Sequence, residues 1–139
     1  MSELVVVCTG NAARSVMAGA ILAARAPHLT ITTAGTHVVE GMPMSWRTRD
    51  ALGEIGITAP NHRSRQLSDA HLDTADIVVG FAGEHIGYVR RVHPHAAGRS
   101  ATLRRLARDL PETGSLAVRL AALDLAAVDL EPWEDVIDP

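Results

Sequence analysis

VVVCTGNAARSVMA, residues 5–18, joins a β-branched apolar run to a string of small residues and then to Arg14-Ser15. The run from Leu4 to Cys8 is short and continuous, the pattern of a strand buried on both faces of a parallel sheet. From Ser15 onward, Val16, Ala20, Ile21 and Ala24 recur at helical spacing until Pro27 stops the pattern. Strand, small-residue turn and helix follow directly on one another, and the chain's single cysteine stands at the first junction.

The same alternation continues outward. Leu29 to Thr33, closed by Ala34-Gly35, and DIVVG at 76–80 read as further strands. Met44 to Ile55, ended by Gly56, and Glu84 to Val92, ended before Pro94, read as helices between and after them. Arg104 to Leu110 and Ser115 to Val128 are two more helix candidates, the second with Leu116, Leu120 and Leu123 on one face. The final DLEPWEDVIDP carries five acidic residues, two prolines and a tryptophan and reads as an acidic loop. Strands alternating with helices predict an α/β fold, a parallel sheet flanked by helices on both faces. At 139 residues, one domain over 1–139 is expected.

Composition excludes several functions. Thirteen basic against sixteen acidic residues give a net charge of −3, contrary to a nucleic-acid binder, which needs a basic face. No apolar stretch reaches membrane-spanning length, and MSELVVV lacks the basic flank of a signal peptide, so a cytoplasmic protein with no membrane partner is expected. One cysteine cannot close an internal disulfide or build a thiolate zinc site, which leaves an inert core residue or a reactive thiol.

Cys8, Thr9, Gly10, Asn11, Ala12, Ala13, Arg14 and Ser15 form C-x5-R-S between strand and helix. A loop of such small residues can curl so that its amides converge, with the helix N-terminus aimed at the same point, on an anion. Arg14 adds a planar, two-pronged donor suited to phosphate oxygens. The same charges, with a hydrogen bond from Ser15, favour a thiolate at Cys8. A thiolate beneath a bound phosphoryl group is placed for in-line attack, giving a phosphocysteine that water hydrolyses. Neither a Walker-type nor a dinucleotide-type glycine motif is present to suggest another phosphate chemistry.

VCTGNAARS resembles the signature loop, C-x-G-N-x-x-R-S, of the low-molecular-weight protein tyrosine phosphatases. TTAGT at 32–36, HRSRQL at 62–67, DIVVG at 76–80 and the terminal IDP resemble further segments of that family. The resemblance implies a four-stranded parallel sheet and hydrolysis of phosphate monoesters with neither metal nor cofactor. It makes Cys8 the nucleophile, Arg14 the phosphate ligand, Ser15 an aid to the thiolate and Asn11 a brace for the loop. His62 matches a histidine that fixes the asparagine, and Asp138 the acid that protonates the leaving oxygen. From the residues alone, Asp135 rivals Asp138, and His62 reads equally as a surface histidine. Trp46 reads either as a cleft wall or as a core residue.

The chain departs from the family in three places. Ala13 stands where relatives often carry a second cysteine, HVVEG after AGT lacks the aromatic that clasps a tyrosyl ring, and the family's final helix has no counterpart before Pro139. Either Ser115 to Val128 covers the face left by that helix, or two chains pair across it as a homodimer, or the chain is a truncated piece. The expected substrate is a phosphotyrosyl protein or a small aryl phosphate. An arsenate reductase drawing on an external thiol and a phosphate-binding protein without turnover are the alternatives.

Overall fold

The computed structural model describes residues 2–138. Four strands, β1 (Glu3–Cys8), β2 (Thr30–Gly35), β3 (Ile77–Gly80) and β4 (Ser100–Thr102), form one sheet in the order β2-β1-β3-β4. Every pair is parallel: Cys8 lies beside Gly35, Val6 between Thr33 and Val79, and Val79 beside Ala101. A parallel sheet must be covered on both faces, and the strand residues divide accordingly. Val5, Val7 and Val78 point to one face, where Leu72 and Val89 meet them; Ile77 and Val79 point to the other, against Leu120 and Leu125. Val6, Val7 and Val78 are at most 1% exposed, each stabilising the fold by roughly 1.5–3 kcal/mol.

Six helices complete the described chain: α1 (Arg14–Arg25), α2 (Trp46–Glu54), α3 (Asp69–Asp73), α4 (Gly83–Val92), α5 (Leu103–Asp109) and α6 (Leu116–Ala121). Two 3-10 turns follow α4 (Pro94–Arg99) and precede the end of the chain (Pro132–Glu134). The helix expected over Met44–Ile55 begins two residues later, at Trp46, because Ser45 caps it by accepting from the Thr48 amide, and it ends at Glu54.

The helix expected over Ser115–Val128 is cut short. It ends at Ala121; Asp124 then takes the left-handed conformation (φ 51°), and the Arg90 guanidinium donates to the carbonyls of Leu125 and Val128 at 2.7 Å each. The segment nevertheless packs Leu116, Leu120, Leu123, Leu125 and Val128 over Ile77, Val79 and Ala101. It therefore covers the β3–β4 half of that face. Beside it, a groove of about 360 Å³ lined by Leu4, Val6, Leu22 and Leu106 remains between α1 and α5. Among the described residues, no helix is long and apolar enough to cross a membrane.

Candidate active site

The turn between β1 and α1 is held from outside by its carbonyl oxygens. The Cys8 carbonyl accepts from the Thr36 amide and the Thr9 carbonyl from the His37 amide, both at 3.0 Å. The Asn11 carbonyl accepts from His62 Nε2 (2.7 Å) and Ser64 Oγ (2.9 Å), and the Ala12 carbonyl from the Ser45 amide and Thr48 Oγ1, both at 3.1 Å. In a planar trans peptide the N–H points opposite the C=O. With those carbonyls turned outward, the amides of Thr9, Gly10, Ala12 and Ala13 turn toward the inside of the loop. Among the described residues, the amides of Gly10 to Ala13 donate to no protein acceptor. Free backbone donors that converge on one point have the arrangement of an anion nest.

Asn11 makes the curl feasible. It adopts φ 52°, a conformation that asparagine tolerates better than most residues, and it is fully buried. Its Oδ1 accepts from the Arg65 amide at 3.0 Å and its Nδ2 donates to Ser15 Oγ at 2.9 Å. Because that nitrogen can only donate, Ser15 Oγ accepts there and keeps its own hydrogen free for Cys8 Sγ, 2.9 Å away. Sulfur thus lies beside a hydroxyl able to donate to a thiolate. Gly35 completes the support: a Cβ there would stand 2.5 Å from the Thr9 carbonyl oxygen, so only glycine lets β2 close on the loop.

Arg14, first residue of α1, reaches across the mouth. Its Nη1 donates to the Val136 carbonyl at 2.9 Å, and its Nε lies 3.5 Å from Asp138 Oδ1. A cleft beside the loop is lined by Thr9, Arg14, Glu84, Asp135 and Asp138. The two rival acids differ in their engagements. Asp135 Oδ1 accepts from the Gly83 amide at 2.9 Å, at the start of α4, whereas Asp138 stands largely free with its side chain 63% exposed. Pro139, the second half of the Asp-Pro pair, lies outside the described residues.

His62 does not sit at random on the surface; its ring is spent on the Asn11 carbonyl, not on the asparagine side chain. Trp46 is not a core residue: it is 68% exposed, at the start of α2 next to the Ser45 that braces Ala12. The position after the AGT segment is His37, exposed and edge-on to Tyr88 at 5.6 Å. Among the described residues, no three His, Cys, Asp or Glu side chains are arranged to hold a metal ion.

One site residue escaped sequence reading. His85 is fully buried; its Nδ1 accepts from the Phe81 amide at 3.1 Å, so the proton resides on Nε2, which donates to Thr9 Oγ1 at 3.0 Å. Thr9 in turn donates to Glu84 at 3.3 Å. Burial, with the Arg14 charge nearby, pushes His85 down to about 4 and keeps it neutral at physiological pH. In sequence it is one of seven histidines, in a helix whose apolar spacing gives no hint of the Thr9 contact.

Comparison with known proteins agrees with this geometry. Residues 3–114 match the model of the low molecular weight phosphotyrosine protein phosphatase family. A protein-arginine-phosphatase of Geobacillus stearothermophilus is 35% identical over 104 residues, spanning 74% of this chain and 70% of that protein. The low molecular weight protein-tyrosine-phosphatase Etp of Escherichia coli K12 is 27% identical over 99 residues, 71% of this chain and 67% of its own length. The solved structure of the YwlE arginine phosphatase from Geobacillus stearothermophilus superposes with a TM-score of 0.73 at 32% identity, covering 88% of this chain and 83% of that one. The chain belongs to the low-molecular-weight phosphotyrosine protein phosphatase family and is a hydrolytic enzyme of that cysteine-dependent phosphatase class.

Proposed function

We propose that the chain removes phosphate from protein side chains through a phosphocysteine on Cys8, with Asp138 as the general acid. The observation that supports this reading is the set of outward carbonyls and inward amides beside Cys8 Sγ, donors of the kind that suit the equatorial oxygens of a phosphoryl group. Cys8 sulfur attacks phosphorus, an S–P bond forms as the bond to the leaving atom breaks, and Asp138 gives its proton to that atom. Water then attacks phosphorus, Asp138 takes its proton, and the thiolate is released with inorganic phosphate. Arg14 and the amides of Gly10 to Ala13 stabilise the transferring charge in both steps, and Ser15 stabilises sulfur as leaving group.

The family's phosphotyrosine chemistry is the first candidate for the substrate, with Trp46 exposed at the loop's edge to meet an aryl ring. A second reading, phosphoarginine, is favoured by the carboxylates of Glu84, Asp135 and Asp138 around the mouth. They repel an aryl phosphate dianion but suit a guanidino group, and a relative and a solved neighbour are named arginine phosphatases. Turnover of one peptide carrying either phosphotyrosine or phosphoarginine decides between them. Cys8→Ser is expected to abolish turnover of the better substrate, and Asp138→Asn to slow it by roughly 10² to 10⁴. Residual hydrolysis by the serine variant at the parent rate would refute the nucleophile.

A further inference from the structure

The acidic loop expected at the chain's end is exposed along most of its length but anchored at one buried acid. Glu134 is fully buried beneath it, and Arg105 of α5 grips its carboxylate with both prongs, Nε to Oε1 at 2.9 Å and Nη2 to Oε2 at 3.0 Å. The remaining oxygen valences are filled by Thr102 Oγ1 (2.9 Å) and the Glu131 amide (2.7 Å). Arg105 also donates to the Asp129 carbonyl at 2.9 Å and pairs with Asp109 at 3.2 Å. Trp133 lies under the Arg108 guanidinium at 3.8 Å and donates through Nε1 to Glu131. Beyond the anchor, the chain is tied twice more: the Val136 amide to the Phe81 carbonyl at 2.6 Å and the Asp135 carboxylate to the Gly83 amide. Val136 then offers its carbonyl to Arg14, and Asp138 follows two residues on.

We propose that Arg105 and Glu134 are positioning residues for the reaction: their buried pair fixes the path of residues 131–138 and so sets where Asp138 meets the leaving group. Neither touches the phosphate loop. Burying a charge pair where packed apolar side chains would serve stability as well calls for a purpose, and directional, two-pronged pinning of the acid-bearing segment is one. Among the described residues Asp138 has no strut of its own beyond Arg14, so its position is inherited from the anchor.

The inference rests on Asp138 as the acid, and the test separates the two. Hydrolysis of a series of aryl phosphates with leaving groups from dinitrophenol to phenol is followed for Asp138→Asn, Glu134→Gln, and the double variant Arg105→Met with Glu134→Met, which leaves no lone buried charge. The anchor variants are expected to lose about 10²-fold with phenol, which needs a proton, and little with dinitrophenol, which does not. Adding Asp138→Asn to them should cost almost nothing more with phenol. An equal loss across all leaving groups would mean a merely structural pair and would overturn the proposal. If Asp138→Asn in the parent shows no leaving-group dependence, the acid assignment itself falls. Should the anchor variants not fold, amide exchange in the parent answers: the Val136 amide is expected to be protected like the sheet, and exchange at the rate of free peptide would overturn the proposal.

Discussion

At the scale of single residues, the loop is a set of hydrogen bonds in which each side chain has one job. Asn11 takes the left-handed turn and hands a donor to Ser15, Ser15 keeps its hydrogen free for sulfur, and His62 and Ser64 hold the Asn11 carbonyl outward. His85 holds the Thr9 hydroxyl, and its burial has a measurable consequence. An ordinary histidine takes up a proton near 6.5, this one only near 4, so the unfolded chain binds more protons between those values. Its contribution is therefore complete above about pH 6.5, erodes as pH falls, and is gone below about 4. Urea melts should show His85 accounting for about 2 to 3 kcal/mol of the stability lost between pH 7.5 and 4.5. The variant His85→Gln should show a correspondingly flatter profile; an unchanged one would contradict the buried neutral imidazole. C-x5-R-S was readable because its small residues and Arg14 make chemical sense together. The loop's partners lie far along the chain, up to 76 positions away at His85, so outside the segments that carry the family resemblance they left no local trace.

At the scale of elements, the junction of β1, the loop and β2 depends on close approach. Gly35 lies in register with Cys8, and a methyl group there would stand 2.4 Å from Val38 Cγ2 and 2.5 Å from the Thr9 carbonyl. Gly35→Ala should destabilise the protein by roughly 1–3 kcal/mol, the usual cost of overpacking, and reduce turnover by shifting the loop. A thermal melt together with turnover checks it, and a fully active, equally stable variant would show the approach to be slack. The three longer strands were legible because β-branched runs announce themselves. The three residues of β4 and the single turn of α3 are too short to show any period. The helix after Ser115 was overread: leucine spacing continued past Ala121, but a left-handed Asp124 and the Arg90 guanidinium took the backbone instead.

At the scale of the whole molecule, the sheet is covered unequally. One face is closed by α3 and α4, and the other by α1 at one side and the leucines of 116–128 at the other. Leu120, 4% exposed against Ile77 and Val79, carries much of that second cover, and Leu120→Ala should cost about 2–5 kcal/mol in denaturant melts. A loss under 1 kcal/mol would mean the segment only lies against the sheet. The tail's acidity misled the sequence reading in the same global way. Burial by itself pushes Glu134 up, yet the hydrogen bonds from Arg105, Glu131 and Thr102 outweigh it and hold its carboxyl below the usual range. Its stabilisation is present above the ordinary carboxyl value and is lost only as pH falls through the lowered one, so acid loosens the segment that bears Asp138. All of this serves one arrangement, inward amides around a single sulfur, and the sole cysteine makes it directly measurable. Alkylation by iodoacetate at neutral pH, followed by intact mass with and without saturating phosphate, should modify Cys8 in the free protein and be strongly slowed by the anion. A thiol that reacts equally in both, or one that reacts only after denaturation, would contradict the oxyanion site.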